Sequence, residues 1–113
     1  MAVSTTPLGS FVPNANPTVL STAAPALAHS GVCYITYAGV CAATLATPTQ
    51  DGLDLTVIAL TADAHTITTA ADIINGSDDT ATFAGAVGNY VHLRSFGGQW
   101  VMQDERGITL SEV

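Results

Sequence analysis

From Gly31 onward, apolar and polar positions follow the two-residue period of half-buried strands rather than the 3.6-residue period of helices. Cys33, Ile35 and Tyr37 alternate with Val32, Tyr34 and Thr36, ending near Gly39. Residues 48–52 form a turn cluster, after which Leu53, Leu55, Val57 and Ala59 alternate with Asp54, Thr56, Ile58 and Leu60. Residues 65–69 repeat the habit around Ile67, with β-branched neighbours that suit a pleated surface. Asn75-Gly76, inside a loop over residues 73–79, is a hairpin-turn signal because both residue types tolerate positive φ. Thr80–Phe83 predicts a short strand. Tyr90–Phe96 places Val91 and Leu93 on one face and Tyr90, His92, Arg94 and Phe96 on the other. Gly97-Gly98 turns the chain into residues 99–103, and a second turn over 104–107 leads into a last strand, Ile108–Ser111. The helical candidates, residues 25–29 and 70–74, are each little more than one turn. Short strands at this spacing predict an all-β fold, a compact β-sandwich or small barrel over residues 31–113.

Residues 1–30 differ. Pro7, Pro13, Pro17 and Pro25 fall among Ala, Ser, Thr and Asn. Prolines at that spacing block a long helix and a central strand, so an extended N-terminal arm is expected, reaching up to about 100 Å if stretched. The arm also carries Leu8, Phe11, Val12, Val19, Leu20 and Leu27, which a pure linker does not need. These side chains are expected to dock, whether on their own domain, a neighbouring subunit or another protein.

Composition narrows the functions. The chain has 113 residues, so one domain is expected. It is 48% apolar and only 10% charged, with a net charge of −7. Lysine is absent, and the basic residues are Arg94 and Arg106. Two arginines cannot supply the phosphate contacts that duplex DNA or RNA requires, nor adhesion to anionic lipid. A small domain normally keeps charge on its surface for solubility, so an exterior of Thr, Ser, Ala and Gly points to packing against copies of itself or a larger body. No run of about twenty apolar residues exists to span a bilayer, and residues 1–10 lack the features of a signal peptide. Synthesis in the cytoplasm is expected, with Cys33 and Cys41 initially reduced. Their symmetric placement about Tyr37 makes a cross-hairpin disulfide geometrically conceivable, while burial as small apolar side chains is the favoured role.

Candidate chemistry is sparse. His29, His65 and His92 stand far apart, outside any HxH or HExxH pattern, and no GxSxG elbow marks a nucleophile. His65 is expected to be a hydrogen-bonded structural residue. Asp72, Asn75, Ser77, Asp78 and Asp79 concentrate oxygen ligands, but without calcium-loop spacing or a bidentate Glu a solvated acidic turn is the simpler reading. The glycines form no phosphate-binding motif. No catalytic, cofactor or metal residue is assigned, and an enzyme is not expected. Trp100 is expected in the core. Tyr90 and Phe96, on the strand face they share with Arg94, are interface candidates.

Four segments together carry a resemblance: Gln50-Asp51-Gly52-Leu53-Asp54-Leu55-Thr56, Ala64-His65-Thr66-Ile67-Thr68-Thr69, residues 79–86, and Val91-His92-Leu93 with Gly98-Gln99-Trp100. Over roughly residues 48–111 the chain resembles a group of small tailed-bacteriophage virion proteins, in which an AHT(I/V)T strand precedes a D-x-ATF-x-GA-x-G segment and a G-x-W-x-V hairpin. Such proteins are capsid decoration (cement) proteins, head fibres and repeated tail-fibre modules. The resemblance implies a trimeric, all-β, non-catalytic structural protein. Its partners would be itself, as a homotrimer, and the major capsid protein, at the outer surface of a phage head. A head- or tail-fibre module recognising a host receptor or glycan is the alternative. The interface residues expected on this basis are Leu8, Phe11, Val12, Val19, Leu20, Tyr90, Arg94 and Phe96.

Overall fold

The structure, a computed structural model, describes residues 17–112. Nine strands and no helix make up this part. In chain order they are β1 (Thr18–Leu20), β2 (Gly31–Ile35), β3 (Ala42–Thr44), β4 (Asp54–Ala59), β5 (Thr66–Thr68), β6 (Thr80–Phe83), β7 (Tyr90–Phe96), β8 (Gln99–Arg106) and β9 (Ile108–Ser111). They form a five-stranded sheet, β1-β2-β4-β7-β8, and a four-stranded sheet, β9-β6-β5-β3. The expected sandwich is therefore present, with a particular construction.

The N-terminal half is a coil. β1, β2 and β4 lie parallel in one sheet, while β3 and β5 lie parallel in the other. Ala26 extends the second sheet by a parallel bridge to Thr44. Parallel neighbours need a long crossover, and here each crossover is itself a strand of the opposite sheet. The chain thus winds through stacked rungs: β1 with Ala26, β2 with β3, β4 with β5. Antiparallel strands then close the stack, β6 and β9 on one sheet, β7 and β8 on the other.

Alternation explains which side chains meet. Along β4, Leu55, Val57 and Ala59 are buried while Asp54 is exposed. Along β7, Val91, Leu93 and Ser95 point inward and Tyr90, His92, Arg94 and Phe96 outward. Ile35, Leu55, Ile67, Phe83, Leu93 and Trp100 dominate the core between the sheets. Trp100 donates its indole N–H to the Ala46 carbonyl at 3.0 Å, so its one polar atom is satisfied inside the protein. Cys33 and Cys41 are buried free thiols, pushed up in pKa by burial.

Several local expectations are corrected. Residues 25–29 and 70–74 are not helical: Ala26 joins a sheet, and 71–72 form a turn in which Asp72 has φ 60°. Residues 104–106 do not turn but prolong β8, paired through a bulge at His92/Leu93. Gly107 alone makes the change of sheet, with φ 70°. β1 and β3 were not anticipated, because three-residue strands in Ala/Thr-rich sequence carry little periodicity. Residues 17–30, grouped with the arm by composition, are woven into the sandwich: β1 pairs with β2, and Leu20 and Leu27 lie in the core.

Candidate functional site

Register decides which loops gather at each end of the sandwich. Ile35 lies beside Ala59, and Ile58 beside Tyr90, so the ends of β2 and β4 meet the start of β7. Ala42 lies beside Thr66, bringing the starts of β3 and β5 to the same place. Loops 36–41, 60–65 and 84–89 therefore form one rim. The bend 21–24 joins them, since the Cys41-adjacent Ala42 N–H donates to the Ala23 carbonyl at 2.7 Å.

His65 ties this rim together from inside. It is fully buried and its Nδ1 accepts the Cys41 N–H at 3.0 Å. Thr61 Oγ1 donates to the Tyr37 carbonyl at 2.9 Å. That leaves Oγ1 to accept a proton from Nε2, 3.0 Å away, which assigns the neutral Nε2–H tautomer from the network. One imidazole thus links loops 36–41 and 60–65, with its ring edge on Phe83 at 5.9 Å between centroids. Loop 84–89 is held by Asn89, whose Oδ1 accepts the N–H groups of Gly85 and Ala86 at 3.2 and 3.0 Å. The Asn89 carbonyl in turn takes the Ala59 N–H at 2.8 Å.

On this braced support sit Val40, Leu60 and Val87, respectively 51%, 46% and 62% exposed. Their neighbours in the four loops are mostly Ala, Gly and Thr, with Asp63 the one charged residue in those loops, while the end of β8, with Asp104, Glu105 and Arg106, reaches the same end beside the start of β7. Single exposed apolar residues are ordinary; three on the loops of one rim make that rim a candidate site.

The opposite end is acidic. The starts of β4 and β6 and the end of β9 lie there, with Asp51, Asp54, Asp72, Asp78, Asp79 and Glu112. Glu112 is hydrogen-bonded to Asp72, and with Asp79 and Asp78 also near, its carboxyl is pushed above the usual range. A cleft of roughly 480 Å³ opens beside this end between Asp51, Arg94, Phe96 and Gln103. Asp51 Oδ1 accepts the Gly97 N–H at 2.9 Å. Asp54 accepts from His92 Nε2 at 2.9 Å and lies 3.7 Å from the Arg94 guanidinium.

The residues singled out in the sequence are distributed as follows. Leu8, Phe11 and Val12 lie outside the described residues. Val19 is 57% exposed on β1, whereas Leu20 points into the core. Tyr90, Arg94 and Phe96 share the outer face of β7, and Phe96 is 70% exposed beside the cleft. Tyr90 donates to Asp104 Oδ2 at 2.7 Å. Val40, Leu60 and Val87 were missed, because each looks in sequence like a strand residue or a loop filler. Only register brings them together.

Among the described residues no three His, Cys, Asp or Glu side chains are grouped to hold a metal ion, and no helix is long and apolar enough to cross a membrane. The chain matches no family model and no curated protein in sequence.

Proposed function

We propose that this protein is a capsid decoration protein, seated on the outer surface of a phage head and reinforcing the lattice of the major capsid protein. The observation that carries this reading is the polarity of the sandwich: an apolar rim with Val40, Leu60 and Val87 at one end, and six of the nine acids at the other. This distribution suits a domain seated upright on a protein shell: the rim loops, whose one charge is Asp63, desolvate at low cost, the charged end of β8 stands at their margin, and the acidic crown stays hydrated. Braced loops lower the entropy lost on docking. The resemblance to small virion proteins supports the same reading and adds the homotrimer, which would triple the foot and gain from avidity. Purified protein added to undecorated heads is expected to bind and to raise their thermal rupture temperature, with native mass measurement giving a trimer. Absence of binding would reject the reading.

A second reading, a head- or tail-fibre module for a host glycan or receptor, is favoured by one feature: exposed Phe96 beside Arg94 and Asp51 in an open cleft, a stacking surface next to hydrogen-bonding groups. Immunolabelling of virions separates the two. Label on the head supports decoration, and label on fibre tips supports recognition.

A further inference from the structure

Residues 50–53, which precede β4, are clamped against the end of β7 by one buried side chain. Ser95 Oγ accepts the Leu53 N–H at 2.8 Å and donates to the Gln50 carbonyl at 2.6 Å. The Ser95 backbone adds two more bonds, accepting the Gly52 N–H at 2.8 Å and donating to the Leu53 carbonyl at 2.9 Å. Asp51 Oδ1 takes the Gly97 N–H at 2.9 Å. These residues thus form a fixed wall, and Asp51 and Gly52 line the cleft of roughly 480 Å³ beside it.

The floor is the outer face of β7 and β8. Arg94 pairs with Val101, and Phe96 follows Arg94 on the same face. Gln103 joins them through the bulge: Leu93 pairs with Met102 and His92 with Asp104, which leaves Gln103 opposite no residue of β7. A bulge re-aims the side chain of its extra residue, and this one lines the cleft. Asp51 Oδ2 and the Gln103 amide have no partner among the described residues. The Arg94 guanidinium lies 3.7 Å from Asp54, whose other oxygen is held by His92 at 2.9 Å, so its N–H donors remain open to a ligand.

We propose that this cleft binds a neutral hexopyranose residue of a glycan. Asp51 and Arg94 cancel in charge, so an anion would meet Asp51 and a cation would meet Arg94, each unpaired. A neutral pyranose meets neither penalty. It has an apolar C–H face, which suits the Phe96 ring, 70% exposed, with Val101 beside it. Its edge carries vicinal hydroxyls, which can donate to Asp51 Oδ2 and accept from Arg94 and Gln103. The volume lies within the range of small-ligand sites, and the clamped wall spares the ordering cost of binding. Recognition of a host glycan through this cleft is the reading on which the proposal rests, here narrowed to one ligand class.

Amide NMR of the purified full chain, titrated with the methyl glycosides of glucose, galactose and mannose, tests it. At least one is expected to bind, with a Kd of about 1 mM or weaker, and to shift the Gly52, Phe96 and Gln103 amides. Phe96→Tyr should keep that binding. Phe96→Ala should weaken it at least about tenfold, while the Val57 and Leu93 amides, in the core, keep their positions. Methyl glucuronide, which carries a carboxylate, should bind more weakly than the best neutral sugar. The proposal is overturned if none of the three sugars shifts those amides, if Phe96→Ala binds as the unchanged chain does, or if the glucuronide binds most tightly. Virion labelling separates the site from the fibre reading. Sugar binding with label on the head keeps the site and rejects the fibre; label on fibre tips without sugar binding rejects the site and leaves the fibre a protein receptor.

Discussion

Tyr90 and Asp104 show how one surface contact links a side chain to stability. The phenol donates to the carboxylate at 2.7 Å. That bond holds the Asp104 carboxyl below its ordinary value, helped by the Glu105 N–H at 2.9 Å. The same bond, with burial and the Asp104 charge adding to it, holds the Tyr90 phenol above its ordinary value. The signs define a pH window. Asp104, being lowered, stabilises the fold above its unfolded pKa, and that contribution is lost as pH falls through the folded value. Tyr90, being raised, contributes below its unfolded pKa and loses the contribution as pH climbs through the folded one. Tyr90→Phe is therefore expected to move the Asp104 titration upward, toward but not fully to an ordinary aspartate, since the Glu105 N–H remains. A carboxyl-carbon NMR titration reads this directly, and an unmoved Asp104 would show that the bond does not form in solution. The sequence put Tyr90 on an outward strand face with Arg94 and Phe96, but its partner is set by the β7–β8 register.

At the scale of elements, the switch of sheet between β8 and β9 rests on one residue. Gly107 has φ 70°, and a Cβ there would collide with the amide of Asn89, which is occupied in holding Gly85 and Ala86. Gly52 also has positive φ, at 82°, but nothing lies near its missing Cβ. Gly52→Ala should thus cost only the backbone strain, about 1–2 kcal/mol. Gly107→Ala adds a clash to the strain and should cost at least about 3 kcal/mol. Urea midpoints of the two variants test the difference, and equal losses would refute the role given to Asn89. This corner also shows where sequence patterns stop. β4, β6, β7 and the Gly97-Gly98 hairpin were legible because alternation and turn chemistry agree there. Asp104-Glu105-Arg106-Gly107 reads locally as a turn, yet it continues a strand because pairing to β7 persists across a bulge. β1 and β3 are only three residues long, too short for a period to register, and they are strands because their neighbours in the stack already are. The rim was illegible for a related reason: Val40, Leu60 and Val87 are separated by long stretches of chain, and only the coil through two sheets makes them adjacent.

For the whole molecule, the low charge content becomes informative once it is placed. The chain is not uniformly neutral: six of its nine acids lie at one end of the sandwich, while Val40, Leu60 and Val87 are exposed at the other, where Asp63 and the end of β8 carry the remaining three acids. If the apolar rim is the docking foot, folding and docking should respond differently to charge introduced there. Val40, Leu60 and Val87 are about half exposed or more, so replacing all three by Asp removes little buried surface, and each change should alter stability by no more than about 0.5 kcal/mol. On docking, however, three new carboxylates beside Asp63 would have to lose their water without partners, a far larger cost. The triple variant is therefore expected to melt within a few degrees of the unchanged protein and to lose binding to undecorated heads. A matched change at the other end, Asp51→Asn with Asp78→Asn, should leave binding intact. Binding that survives in the triple variant but fails in the Asn pair would invert the orientation, placing the acidic end and its Phe96 cleft against the partner.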